Sequence, residues 1–569
     1  MKRKIDQNKI KSMLMKGSVN KEHREIMCNM RNGLMKSMGY TDQMLSRPFV
    51  AIIHAWSEIS PGEFHMKMVA EYAKSGVREA GGTPAELIIP GECGGIDGAA
   101  GDAHKFNVPY RDIVASLVEI MLHMGLFDAV VFLAGCDHVI PAFLMGACLA
   151  NLPSIMVTGG YMEPGENYKG HALHATSAMK MFGKYKKGEI SEEDFKTIVD
   201  NSCPGPGACT EMATAHTMAT ISEALGMSLP GNTAVAAIST DLLQMAKKAG
   251  QQVMELYKKN ITPKDIITRD SCENAMRTVL AVGGSPNALI HLPAITREVG
   301  IELSWDQWEE LSKKTPFICS VLPNNPDYTM KDLDRAGRIK GVMKEIEPLL
   351  HTDVLTVSGL TLKENLRGAK VYDRQIIRTL KEPFSKDGGL IILKGNLAPE
   401  GAILKKSAYP SHMYKYKGLA KVFDQDKFAI QAIVEGKIKP GDIIVIRYEG
   451  PRGGPGGVKL TLVMHTLISF GLAEKVALLT DGAFSGTNLG AGIGYVSPEA
   501  EVGGPLAIVE NNDYIEIDVE NRKLNLLIDN DTFKIRLSNW TPRKTKELKG
   551  TLGLFKRNAA SYSKGAYIL

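Results

Sequence analysis

The run GCDHVIPAFLMGA at residues 135–147 sets a cysteine, an aspartate and a histidine in consecutive positions before it turns apolar. Thiolate, carboxylate and imidazole are the side chains that hold metals, and three in a row exceed what a strand-to-helix connection needs. Other Gly-rich stretches gather similar groups: PGECGG (90–95), CPGPGACTEMATAHTM (203–218), RYEGPRGGPGG (447–457) and TDGAFSGTNLG (480–490). A Gly-rich loop is either a phosphate cradle or a plain turn, and GPRGGPGG lacks the Lys-Ser/Thr ending of a P-loop. The cysteines come singly, without the CxxC spacing of a zinc ribbon. Thiolates delivered one at a time from several strand ends suit an iron–sulfur cluster with one iron site left open.

Of the eight cysteines, Cys28, Cys148, Cys272 and Cys319 lie in helix-like or apolar surroundings and read as buried thiols. Cys93, Cys136, Cys203 and Cys209 lie in Gly/Pro-rich loops. Eight in 569 residues are too sparse for a disulfide scaffold.

The elements that must position these loops alternate. PFVAIIHAW (48–56), AELIIPG (85–91), DAVVFLAG (128–135) and PSIMVTGG (153–160) read as strands. Between them, HMKMVAEYAKSGVREAGG (65–82), RDIVASLVEIMLHMG (111–125) and PAFLMGACLAN (141–151) read as helices. Over the first two-thirds this rhythm predicts a parallel sheet covered by helices on both faces. Ligands of such sheets bind at the carboxyl ends of the strands. Ser57-Glu58, Glu92-Cys93, Gly135-Cys136-Asp137 and Gly159-Gly160 fall there. From about residue 371 the pattern becomes short β runs with turns, at 388–405, 441–450, 475–482 and 505–529. ENND and ENRK in the last run read as hairpin turns, and a helical tail is expected from near 543. The expectation is an α/β chain with two domains: 1–370, a parallel-sheet α/β/α unit, and 371–569, barrel-like.

Hydrophobic residues at 44%, charged residues at 23% and a net charge of +5 are those of an ordinary globular protein. No dense Lys/Arg run interleaved with aromatics points to nucleic acid. No stretch reaches the roughly 18 apolar residues of a membrane span. The basic start MKRKIDQNKIKSMLMKG (1–17) is not followed by a signal-peptide core, so a cytoplasmic location is expected.

Along nearly its whole length the chain resembles the dihydroxy-acid dehydratase/6-phosphogluconate dehydratase family. The resemblance is carried by AGCDHVIPAFLMGACLANLPSIMVTGGYMEPG, CPGPGACTEMATAHTMATISEALGMSLPG, KGNLAPEGAILK, RYEGPRGGPGG, TDGAFSGTNLGAGIGYVSPEAEVGGP and AASYSKGA. It implies removal of water from a 2,3-dihydroxy carboxylate to give a 2-keto-3-deoxy acid. An iron–sulfur cluster, of two-iron or four-iron type, and a magnesium ion would lie between an α/β domain and a β-barrel domain, in a homodimer or homotetramer. It places the cluster on Cys136 and Cys209, with Cys203 in the flanking pattern as a structural residue. It places the cation on Glu92, Asp137 and Glu449, and the base on Ser485 with Thr487 beside it. A serine is a poor base at its free pKa, so nearby cations are what make the role workable; read alone, Ser485 is a cap or turn serine.

Three departures bear on that carry-over. The family's first cluster cysteine falls on Gly62 of EISPGEFHM, and glycine cannot ligate iron. Cys93, at the next strand end, is a substitute ligand or an ordinary loop thiol. A lysine, carboxylated in many members, is His138 here, either a direct ligand of a softer ion such as manganese or a hydrogen-bond partner of Asp137. The loop from Cys93 to Arg111 is one residue longer than the common form. Glu92 matches the acid of sugar-acid dehydratases, whereas other members carry it after the cysteine, where Gly94 stands. ISEEDFKTIVDNSCPGPGAC and SYSKGA resemble the dihydroxy-acid enzymes of branched-chain synthesis more closely; the alternatives are an aldonate dehydratase and a cluster-free metal-dependent binding or regulatory homologue.

Overall fold

The computed structural model describes residues 21–99, 101–545 and 547–568; the basic start at 1–17 lies outside them. Four strands, β1 (Phe49–His54), β2 (Thr83–Ile88), β3 (Ala129–Ala134) and β4 (Ser154–Thr158), pair in the order β2-β1-β3-β4, all parallel. β1, β3 and β4 are buried along their whole length, as near-continuous Val/Ile/Ala runs require in a sheet covered on both faces. β2 is an edge and becomes exposed toward its end.

The helix Met66–Glu79 packs over the sheet together with Thr240–Lys259. The two backbones touch: a Cβ on Gly76 would lie 2.0 Å from the Lys247 carbonyl oxygen, and one on Gly250 would lie 2.1 Å from that of Ala73. The helix Val139–Ala150, apolar on every side, is buried through its first ten residues against β3, β4 and the helix Asn107–Gly125. After β4 come a short hairpin, β5 (Asn167–Tyr168) and β6 (His171–Ala172), and then helices from Ser177 to Asn365. The alternation expected over the first two-thirds therefore ends at β4. One helix beyond it, Thr214–Ala224, is buried all round and so lacks the one-sided pattern that separates helix from buried strand.

Eight further strands close a barrel in the order β10-β11-β12-β8-β7-β14-β13-β9. They are β7 (Ile391–Gly395), β8 (Ala398–Leu404), β9 (Lys415–Phe423), β10 (Asp442–Ile446), β11 (Ala477–Thr480), β12 (Gly492–Ser497), β13 (Tyr514–Asp518) and β14 (Lys523–Leu526). Its interior is a separate apolar cluster that includes Ile391, Leu404, Ile443, Leu479, Ile493 and Ile515. β9, β10, β11 and β12 run parallel, so their connections must cross over. The helices Asp426–Val434 and Thr461–Ser469 provide two of these crossovers, where the sequence pattern had suggested turns. ENRK does turn the β13–β14 hairpin, whereas ENND leads from a 3₁₀ turn into β13. The closing helical tail starts at Asn530 rather than near 543. No described helix is long and apolar enough to cross a membrane.

Candidate active site

The loops after β1, β2 and β3 meet at the carboxyl edge of the sheet. The buried Glu63 carboxylate accepts hydrogen bonds from the backbone N–H groups of Gly135 (2.8 Å) and Cys136 (2.7 Å), fixing the loop after β1 to the one after β3. The contact needs a glycine, because a Cβ at 135 would stand 2.2 Å from the Gly62 carbonyl oxygen. A Cβ at Gly62 would lie 3.3 Å from both Cβ and Sγ of Cys136, so position 62 faces that thiol directly.

Cys93 reaches the same thiol from the loop after β2. The two share a hydrogen bond, which lowers the Cys93 pKa, assisted by the N–H groups of Gly95 and Ile96 against the effect of burial. The same bond, with burial, drives the Cys136 thiol upward. Cys209 arrives on a loop tied to the first by Gly207 N–H donating to the Pro61 carbonyl at 2.9 Å. Burial raises its thiol, followed by the charges of Glu211, Cys93 and Asp137. Three thiols from three loops thus share one neighbourhood. Cys203 is exposed, Cys148, Cys272 and Cys319 are buried, and Cys28 is half-buried.

Beside the thiols lies a group of carboxylates. Glu92 Oε1 accepts from the His138 backbone N–H (3.3 Å) and pairs with His138 Nδ1 at 2.9 Å, so the histidine's partner is Glu92 and not Asp137. Burial, then the Lys459 charge, lowers the His138 pKa. The neutral ring that results donates through Nδ1–H to Glu92 and leaves the Nε2 lone pair free; Nε2 has no hydrogen-bond partner. A ring held in this way is set up as a ligand. Asn107 Nδ2 bridges Glu92 Oε2 (3.1 Å) and Asp97 Oδ2, while Asp97 Oδ1 is buried without a partner. Burial, then the charge of Glu92, raises the Asp97 pKa. Lys459, from the barrel side, places Nζ 3.5 Å from Asp137 Oδ2.

Glu449 is buried nearby, and its backbone carbonyl accepts from Val458 N–H at 2.8 Å. Its carboxyl is pushed up to about 8 by burial and then by Asp426, with Lys105 opposing and Asp481 adding; Glu92 and Asp137 are not among these charges. Among the described residues, no three His, Cys, Asp or Glu side chains converge tightly enough to enclose a single ion. The donor types nevertheless fit the expected groups: three soft thiols for iron, and hard oxygens with two orphaned atoms, Asp97 Oδ1 and His138 Nε2, for a divalent cation.

Ser485 sits in a loop held on both sides. Tyr495 Oη donates to the Phe484 carbonyl (2.6 Å), and buried Lys405 Nζ donates to the Gly486 carbonyl (2.7 Å). Thr461 Oγ1 accepts from Ser485 N–H at 3.3 Å, and Ser485 Oγ is 3.5 Å from the N–H of Thr487, itself buried. Ser485 therefore closes a turn and caps no helix. A Cβ on Gly486 would stand 2.7 Å from Ala213 Cα, so the loop lies directly on the segment that follows Cys209. That segment carries Glu211, whose Oε1 is 2.6 Å from His174 Nδ1. Burial raises the Glu211 carboxyl, but His174, Lys180 and His465 outweigh it and bring it down to about 2.

Sequence reasoning did not single out Glu63, Asp97, Lys405, Glu211 or Lys459. Asp97 had a signal, since it opens an Asp-Gly step in a Gly-rich loop at a strand end. The others owe their positions to packing between distant segments.

A family model described as Dihydroxy-acid/6-phosphogluconate dehydratase N-terminal matches residues 47–365, and its C-terminal counterpart matches 375–566. The chain belongs to this family. It is a hydro-lyase. Among its relatives, a dihydroxy-acid dehydratase of Caldicellulosiruptor saccharolyticus is 41% identical over 541 residues, 95% of this chain and 97% of that protein. One of Acetivibrio thermocellus is 42% identical over 538 residues, and one of Ignicoccus hospitalis is 42% identical over 535; each covers 94% of this chain and 96% of the relative. In this member of the family the closing AASYSKGA segment is tied to the sheet side of the site. Buried Arg111 donates to the carbonyls of Gly565 (3.1 Å) and Ala566 (3.0 Å) and contacts His291 Nδ1 at 3.1 Å. The His291 ring packs edge-on against His138. Gly565 and Ala566 are thereby linked through Arg111 and His291 to His138.

Proposed function

We propose that this chain dehydrates a small 2,3-dihydroxy carboxylate to a 2-keto-3-deoxy acid, as a dihydroxy-acid dehydratase of branched-chain amino acid synthesis. The observation that carries the reading is the meeting of Cys93, Cys136 and Cys209 with the Ser485 loop across the boundary between sheet and barrel. Residues 1–370 form the domain bearing the cofactors, and 371–569 the domain bearing the serine. Cys93, Cys136 and Cys209 hold an iron–sulfur cluster, with Cys93 in the role that Gly62 cannot fill. Glu92, Asp137, Glu449 and His138, joined by Asp97, are the set for a magnesium or manganese ion. When bound, these groups supply a Lewis acid for the leaving 3-hydroxyl and positive charge for the carboxylate. The working unit is a homodimer or homotetramer in the cytoplasm.

The chain's own residues do the remaining work. Ser485, already deprotonated, takes the C2 proton on Oγ while the C3–O bond breaks and the hydroxyl leaves, giving an enol that becomes the 2-keto acid. Thr487 N–H is the donor that faces the serine oxygen. Tyr495 and Lys405 restrain the carbonyls on either side of Ser485, so its oxygen is held in place rather than searching for its position. Packing of Gly486 on Ala213 holds the serine loop against the segment that follows Cys209.

A second reading, an aldonate dehydratase, has an observation of its own. The buried Glu211, His174 and His465 with half-buried Lys180, beside Cys209, offer hydrogen bonds suited to hydroxyl groups, whereas a branched acid presents methyls. Anaerobically purified enzyme is assayed for keto-acid formation from a branched 2,3-dihydroxy acid and from a five- or six-carbon aldonate. A higher kcat/KM on the branched acid supports the first reading, and the reverse supports the second. A protein without iron and sulfide that dehydrates neither would overturn both.

A further inference from the structure

Lys459 reaches from the barrel side into the carboxylates of the sheet side. Its backbone is fixed at both neighbours: Val458 N–H donates to the Glu449 carbonyl and Leu460 N–H to that of Ala483, each at 2.8 Å. Its side chain crosses to Asp137, and the two side chains are only 10% and 17% exposed. The acids acting on its ammonium are Asp137, Glu92 and Asp97, one from the loop after β3 and two from the loop after β2. Glycine at 94 leaves it room, because a Cβ there would lie 2.8 Å from Nζ.

The approach to Asp137 Oδ2, 3.5 Å, is longer than the roughly 2.7–2.9 Å of a directed charge-assisted hydrogen bond. Asp137 is the carboxylate nearest the ammonium, and Glu92 and Asp97 act on it by charge from farther away, so no directed hydrogen bond locks it. Half-buried carboxylates this close together repel one another unless a positive charge stands between them. A hard divalent cation would seek the same oxygens.

We infer that Lys459 is a tethered counter-ion: its ammonium stands beside Asp137, in the field of Glu92 and Asp97, until a divalent cation displaces it, so that cation binding and withdrawal of the lysine are one event. The inference rests on the reading of these acids as the cation set. It adds that the chain weakens its own cation site, and that in the cation-free state the same lysine ties barrel to sheet.

The test is a Mn²⁺ titration followed by the EPR signal of the free ion. It uses the whole chain with its cluster, prepared anaerobically and freed of divalent cations by gel filtration. Lys459→Met should bind Mn²⁺ at least about tenfold more tightly than wild type, since the competing charge is gone. Its melting temperature should be lower without Mn²⁺ and should rise more than wild type's when Mn²⁺ is added. Lys459→Gln, which keeps a polar end, should behave likewise, and Lys459→Arg should stay near wild type. Equal or weaker Mn²⁺ binding by both Met and Gln variants overturns the counter-ion role while leaving the acid site standing. No saturable binding by any of the proteins, with iron and sulfide intact, overturns the acid site itself and the inference with it.

Discussion

The thiol side and the carboxylate side of the site are built from the same strand-end loops, yet they rest differently. Cys93 and Cys136 are in hydrogen-bond contact with each other. Asp137 instead stands beside the Lys459 ammonium, with Glu92 and Asp97 acting on it by charge, and Glu92 is further engaged by His138 and Asn107. The difference follows from charge. Thiols can lie together through a shared hydrogen bond, whereas carboxylates gathered at a buried site need a counter-charge. The thiol side can therefore wait for its cofactor fully assembled, while the acid side is already compensated and must exchange one cation for another. Loss of a ligand should be all-or-none on the first side and graded on the second.

The largest effect is expected on the thiol side. Cys136→Ala removes the central thiol and should leave a protein without iron, sulfide or activity, read by metal assay and visible absorption. Cys93→Ser should strip the cluster as completely. Because a Cβ at position 62 falls 3.3 Å from Cys136 Sγ, Gly62→Cys combined with Cys93→Ser should recover part of the iron after a shift of a few tenths of an ångström. A normal cluster spectrum in Cys93→Ser would leave Cys93 an ordinary thiol and end the contrast between the two sides.

Next comes Ser485, whose loop packs on the segment that follows Cys209. Ser485→Ala should keep iron and sulfide and lower kcat by about 10²–10⁴ with KM little changed, the usual scale for loss of a positioned base. Deuterium exchange at C2 of bound substrate reports the step directly. Exchange at the wild-type rate would assign the proton to another group, for which Lys405 at the Gly486 carbonyl is the nearest alternative.

These expectations draw on what could be read in the sequence to different degrees. The strands expected at 48–56, 85–91, 128–135 and 153–160 correspond to β1–β4 at 49–54, 83–88, 129–134 and 154–158. Buried apolar runs bounded by glycine leave little choice of element. Once the sheet is parallel, Cys93 and Cys136 must share an edge, since β1 alone separates β2 from β3. Lys459 was not legible. A lysine between valine and leucine looks like any strand residue with one solvated face, and only the pairing of its neighbours with Glu449 and Ala483 turns it inward. The crossovers Asp426–Val434 and Thr461–Ser469 were missed because nine-residue apolar runs suit helix and strand alike. Glu449 carried a family role, but how its side chain is oriented depends on the buried acids of the barrel, which no local pattern reveals.

On the carboxylate side, Asp137→Asn should lower divalent-cation affinity by about 10–100-fold while the cluster stays, the scale seen when a metal site loses a ligand or its support. Glu449→Gln should do less, because the charges acting on Glu449 are Asp426, Lys105 and Asp481 rather than the acids around Lys459. Equal losses in the two variants would mean that the barrel acid swings fully into the cation set, and the graded picture would fail.

The smallest effect concerns buried acids that have no lysine among them. Glu499 accepts from the N–H groups of Arg452 (3.0 Å) and Gly453 (2.9 Å), yet burial, followed by the charge of Asp481, pushes its carboxyl up to about 8. An unfolded glutamate titrates near 4.5. Between that value and about 8 the folded chain keeps a proton that the unfolded chain has released, so this group's contribution to stability is full below about 4.5 and is lost as pH rises through the window. The melting temperature should therefore fall between pH 5 and pH 8 more steeply in wild type than in Glu499→Gln, which mimics the protonated form at every pH. Asp481, raised to about 6 mainly by burial, adds a slope of the same sign over a lower window. Parallel melting curves for wild type and Glu499→Gln across pH 5–8 would show that Glu499 is ionised in the folded chain. Acids without a lysine would then be stabilised as well as those around Lys459, and the counter-charge would lose its place as the feature that sets the carboxylate side apart.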